Sequence, residues 1–192
     1  MISSSIMIRK LFTFVVLWMI ALGCMAQGGM PGMYNVSYLN VASGMPNNFA
    51  DDIFQDSFGF MWISTHGGGL VRYDGYNFVN FGLGTQRIGL RSNSCRSVYE
   101  DHFKRLWIAF EEGPQVLDLT TLQPVELPCE NEQVRNLLGQ TFKEQCVRMY
   151  CDSKGNLWMV IHNRLTRIGF NEKGEVNSVL STSYPSNAPD LG

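Results

Sequence analysis

Ten polar residues fall where short loops would gather them: Asn47, Asn48, Thr65, His66, Arg91, Asn93, Glu111, Glu112, His162 and Asn163. Amides, a guanidinium, carboxylates and imidazoles make directional hydrogen bonds to a hydroxyl-rich ligand such as an oligosaccharide. His66 precedes Gly67, Gly68 and Gly69, which let a ligand or another backbone approach closely. The plainer alternative is a set of ordinary polar loops. Catalytic chemistry has less support. Glu111 and Glu112 are adjacent, so they do not form a spaced acid/base pair. His102 falls in a turn at the opposite end from His66 and His162, which argues against a three-histidine metal site. The glycine run joins two strands and does not lead into a helix, so it is no phosphate loop. No catalytic residue, metal or cofactor is assigned.

The elements that must hold these residues follow from a repeat. Asp56 precedes Trp62, Asp101 precedes Trp107 and Asp152 precedes Trp158, always by the same interval and always within an apolar–turn–apolar pattern. The tryptophans are separated by 45 and then 51 residues, a period typical of propeller blades. In each unit a short strand ends in Asp, whose side chain closes a turn by accepting from backbone N–H two residues on. Gly59 and Gly155 suit that turn, whereas Lys104 stands in the glycine's place and implies a different or mildly strained turn. These aspartates therefore read as turn formers. Each Trp is expected to pack between its own sheet and a neighbour. In the first unit a third strand over 70–73, the hairpin signal Asp74-Gly75 and an alternating stretch over 77–81 complete four antiparallel strands. The second unit continues through 115–118 and 125–127, and the third through 165–168 and 176–180.

Composition agrees. Of 192 residues, 45% are hydrophobic and 17% charged, the net charge is −2, and there are 19 glycines. No basic block points to nucleic acid. The stretch 11–22 after Arg9 and Lys10 is too short to span a bilayer easily, and Cys24-Met25-Ala26 offers a cleavage site before Gln27. Residues 1–26 thus read as a helical secretion signal, with an uncleaved anchor or lipidation at Cys24 as alternatives. Cys95, Cys129, Cys146 and Cys151 match no zinc spacing and read mainly as buried free thiols, although an oxidising compartment permits disulfides. Cys146 and Cys151 are five apart on one strand and are expected to face opposite ways.

The run Gly44-Met45-Pro46-Asn47-Asn48, then Asp56 to Thr65, then Gly68-Gly69-Leu70-Val71-Arg72-Tyr73-Asp74-Gly75 resembles a two-component regulator propeller repeat. The resemblance spans about 34–180. It weakens in the second unit at 109–114 and in the third at Arg164, where glycine is usual. It implies an all-β, incomplete β-propeller of about three four-stranded antiparallel blades: 34–82, 88–128 and 145–181. An insert over 129–144 enters the third blade, and 182–192 leads towards a missing next blade. It further implies the N-terminal part of the periplasmic sensor region of a hybrid two-component regulator, non-catalytic and taking an oligosaccharide ligand. The remaining blades, or another chain, would close the ring. A propeller-core lyase or glycosidase, and a protein-contacting propeller, are the alternatives.

Overall fold

β1 (Ala50–Gln55), β2 (Met61–Thr65), β3 (Gly69–Tyr73) and β4 (Phe78–Phe81) pair in sequence order as one antiparallel sheet of this computed structural model. The structure describes residues 37–82 and 88–183. The expected leader over 1–26, residues 34–36 and the stretch 184–192 lie outside the described residues. β5 (Ser97–Glu100), β6 (Arg105–Ala109) and β7 (Gln115–Asp118) form a second sheet. β8 (Cys146–Cys151), β9 (Leu157–Ile161), β10 (Arg164–Phe170) and β11 (Val176–Ser183) form a third. β5 touches both β1 and β8, so the first strands of the three sheets lie side by side. Two apolar seams separate the sheets. Trp62, Leu70 and Phe81 meet Val98, Leu106 and Leu117 in one, and Trp107 and Val116 meet Met149, Leu157 and Ile168 in the other. This is the all-β, incomplete propeller that the repeat implied, with three departures.

The first departure is in the middle sheet, which has three strands instead of four. The expected strand over 125–127 touches β7 through a single bridge at Leu117 and Pro124. Asp118 N donates to Gln123 O at 2.9 Å and Val125 N donates to Val116 O at 3.0 Å on either side of that bridge, and the pairing goes no further. The chain then crosses to the third sheet, where Val176 N donates to Pro128 O at 2.8 Å and Glu130 N donates to Val176 O at 2.9 Å. The second departure is a helix in the insert, α1 (Glu132–Thr141), which the sequence reading left unassigned. Asn131 caps it by accepting from Val134 N at 2.9 Å. Val134, Leu138 and Thr141 form its buried stripe.

The third departure concerns the thiols. A bulge at Val147 shifts the β8 register between Cys146 and Arg148, which resets the alternation of faces. Cys146 and Cys151 therefore share the face turned to the middle sheet: Cys146 joins the Trp107 seam, and Cys151 lies 3.6 Å from His102. Cys95, Cys146 and Cys151 are buried, Cys129 is half-buried, and all four are free.

The repeat geometry is local. Asp56 Oδ1 accepts from Phe58 N and Phe60 N, each at 2.9 Å, and Oδ2 accepts from Trp62 Nε1 at 2.7 Å. Asp101 and Asp152 bind Trp107 and Trp158 in the same way at 2.8 Å. Lys104 adopts φ 60 where Gly59 and Gly155 adopt 91 and 80, so the middle turn keeps its shape and carries the strain. Trp62 and Trp107 are wholly buried, whereas Trp158 is half-buried, because no further sheet among the described residues covers the third.

Candidate functional site

The loops entering each first strand and joining each second and third strand gather some of the ten polar residues and separate others. Asn47 Nδ2 donates to His66 O at 2.6 Å. His66 Nδ1 lies 3.2 Å from Ser94 Oγ, a residue the sequence reading passed over. Gly67 N and Gly69 N donate to Asn93 O at 3.1 and 2.8 Å. Thr65 is buried and donates to Gly69 O at 2.7 Å. These residues form one cluster across the first seam, with the His66 imidazole exposed. The glycines are accounted for by packing: a Cβ on Gly69 would lie 2.2 Å from Phe81 O, and one on Gly68 would lie 2.7 Å from Thr65 Oγ1. Asn48 turns away to accept from Val41 N at 2.9 Å.

The remaining residues are held apart. Arg91 N donates to Gln115 Oε1 at 3.0 Å, and its guanidinium donates to Pro114 O and Phe142 O at 3.3 and 3.4 Å. Glu111 pairs with Arg96 at 2.6 Å, while Glu112 is exposed. His162 sits at φ 51 in the β9–β10 turn, where it and Asn163 are exposed next to the Arg164–Glu144 ion pair.

A row on the inner strands was missed by sequence reasoning. Asp52, Ser97 and Arg148 occupy the same repeat position in β1, β5 and β8. Ser97 Oγ donates to Asp52 Oδ2 at 2.6 Å, and Arg148 lies 3.7 Å from Asp52. Arg148 also donates to Asp51 O at 3.0 Å. Two residues further on, Phe54, Tyr99 and Tyr150 make an aromatic row with centroids 4.8 and 6.1 Å apart. Counting back from each repeated Asp would have found both rows. Burial, then neighbouring Cys151 and Tyr150, push the Tyr99 phenol up.

Beside Arg91 a cavity of about 960 Å³ opens where the middle sheet lacks a fourth strand. Val116, the segment 124–129 and α1 wall it. The insert thus shapes this side of the molecule.

Three of the thiols are held in their protonated form. Cys151 stands beside His102 as a catalytic cysteine stands beside its base, but burial, then Asp101 and Asp152, push it up to about 11. Burial pushes Cys146 up to about 12, and burial with Asp51 and Glu112 pushes Cys95 equally far. Among the described residues no cluster of His, Cys, Asp and Glu is arranged to hold a metal ion.

Residues 44–67 match the family described as two component regulator propeller. The match falls on the cluster of Asn47, Thr65 and His66 and on the first Asp–Trp pair. Among solved structures, the chain is similar to the extracellular domain of a protein described as a hybrid two component system from B. thetaiotaomicron, with TM-score 0.54 and 19% identity over 77% of this chain and 20% of that one. A second such domain from the same organism gives TM-score 0.45 and 19% identity over 74% and 27%. Virginiamycin B lyase from Staphylococcus aureus gives TM-score 0.46 and 12% identity over 72% and 42%. No curated protein matches the chain. The chain spans about a fifth of the first structure, and that likeness establishes the propeller fold.

Proposed function

We propose that this chain forms the first blades of an extracytoplasmic sensing propeller of the hybrid two component type, and that it binds an oligosaccharide without cleaving it. The observation that carries this reading is the family match over 44–67, which covers the first Asp–Trp turn and the cluster around His66. The leader read over 1–26 supports placement in the periplasm, and no helix among the described residues is long and apolar enough to cross a membrane. The loop-end groups donate to and accept from hydroxyls, and burial raises the Cys95 and Cys151 thiols.

The third sheet supplies the partner surface. Phe54, Trp62, Arg72 and Val79 face the first seam; Tyr150, Trp158, Arg167 and Leu180 occupy the corresponding places on the third sheet. Tyr150 is 63% exposed and Leu180 57%. A further sheet of the same repeat, from a longer chain or a second one, would cover that face.

The test is calorimetric titration of the chain with a panel of oligosaccharides, paired with His66→Ala. The His66 side chain is exposed and its recorded side-chain partner is Ser94, so the variant should melt within about 0.5 kcal/mol of the parent. Binding that His66→Ala weakens supports the reading. Silence across the panel, or depolymerisation of a polysaccharide by the chain, overturns it.

A further inference from the structure

The cavity beside the middle sheet has a wall chemistry that the sensing proposal does not use. Val116 from β7, Leu127 from the crossing segment, and Leu138 and Phe142 from α1 and its end give it an apolar lining. Two arginines line it against one carboxylate, Glu126: Arg91 at the Phe142 end of α1, and Arg135 in the first turns of α1 beside Cys129. The Arg91 guanidinium donates to the backbone carbonyls of Pro114 and Phe142, and among the described residues no carboxylate lies at ion-pair distance from it. Arg135 has 65% of its side chain exposed, and its nearest acidic partner, Glu132, is 3.7 Å away. Burial pushes the Cys129 thiol in the wall up, and the Arg135 guanidinium beside it offsets part of that rise.

The volume, about 960 Å³, is that of an ordinary small-molecule site. The polar groups of the wall argue against a hydroxyl-covered sugar. The Gln115 amide is already used, donating to Gly89 O at 2.7 Å and accepting from Arg91 N at 3.0 Å. A ligand rich in hydroxyls would leave most of them unpaired against the aliphatic wall, which costs free energy. A carboxylate on a ring-sized apolar body meets both halves of the wall. The ring displaces water from Val116, Leu138 and Phe142, and the anion takes the guanidinium donors that no side-chain acid saturates.

We propose that this cavity is a second binding site, separate from the loop end, for a small organic carboxylate with an apolar ring: the ring sits against Val116, Leu138 and Phe142, and the carboxylate takes the donors of Arg135 beside Cys129. The site exists because the pairing with β7 stops after the Leu117–Pro124 bridge and the chain crosses to Val176, leaving the place of a fourth strand to a ligand.

The test uses the full chain with cyclohexanecarboxylate and, as the neutral control, cyclohexanecarboxamide, in calorimetric titrations. Charge-assisted bonding predicts that the carboxylate binds at least about tenfold more tightly than the amide. Arg135→Gln, at an exposed helix position, should remove about that factor. Gly139 lines the cavity on α1, and a Cβ there would meet no atom within 4 Å. Gly139→Leu should therefore narrow the cavity and weaken binding while leaving the melting temperature unchanged or higher, since glycine is a poor helix residue. Mass spectrometry supplies an independent reading: the carboxylate, and not the amide, should slow alkylation of Cys129. Equal binding of acid and amide, unaltered binding by Gly139→Leu or Arg135→Gln, or no heat and no protection up to about 10 mM would each overturn the proposal. Oligosaccharide binding at the loop end would survive Gly139→Leu, so failure here is distinguishable from failure of the sensing reading.

Discussion

The carboxylate of Asp101 accepts from Phe103 N, Arg105 N, Arg105 Nε and Trp107 Nε1, at 2.9, 3.1, 2.7 and 2.8 Å. One side chain thus closes the turn, pairs a buried guanidinium and fixes the indole that fills the seam. Trp107→Ala should cost about 3–5 kcal/mol, because the ring is fully enclosed. Trp158→Ala should cost about 2 kcal/mol or less, because its outer side has no covering sheet. Equal losses in denaturant titrations would mean that the third indole is as enclosed as the second. The same motif has an acid signature. Donation from the Trp158 indole, then from the Asn156 amide and backbone groups, holds the Asp152 carboxyl well below the usual carboxylate range. A depressed native value gives stability that is present above about pH 4 and is lost as the pH falls further. Thermal midpoints between neutral and strongly acidic pH should therefore fall less steeply for Asp152→Asn than for the parent. Parallel curves would rule out this contribution.

At the scale of the element, two glycines in the first sheet do different things. Gly59 adopts φ 91 in open space, whereas Gly69 adopts φ 83 with its missing Cβ directed at Phe81 O. Gly59→Ala should cost about 1 kcal/mol, the price of a left-handed alanine. Gly69→Ala adds a clash with backbone and should cost about 3 kcal/mol or more. Chemical denaturation of both variants separates the two causes, and similar values would show that β4 gives way. The bulges do comparable work on the inner strands. Shifts at Asp51 and Val147 turn the side chains that follow, which sets Asp52 beside Ser97 and brings both Cys146 and Cys151 to one face. The strand-alternation rule put those cysteines on opposite faces because nothing in the residue types around Val147 marks an extra residue.

At the scale of the whole molecule, each sheet is a tile with one face made to cover and one to be covered. Val98, Leu106, Ile108 and Leu117 of the middle sheet cover the first; Met149, Leu157, Met159 and Ile168 of the third cover the middle. The covered face of the third tile holds Tyr150 and Leu180 in the open. Leu180→Arg should therefore leave the chain's own melting transition within about 0.5 kcal/mol. In sedimentation experiments it should prevent association with any further sheet. A large drop in stability on this substitution would show that Leu180 is already enclosed.

Three tryptophans at fixed distance from three aspartates marked the first hairpin of each sheet in the sequence alone, because each Asp–Trp unit is closed by bonds between residues no more than six apart. The grouping of Asn47, Thr65 and His66 was readable for the same reason, since one hairpin and the loop before it hold them. What tertiary structure decided was which equivalent side chains are enclosed, where the chain after Pro124 crosses to the third sheet, and that Arg91 lines a cavity. Those depend on neighbours tens of residues away along the chain, and a local pattern carries no record of what packs against it.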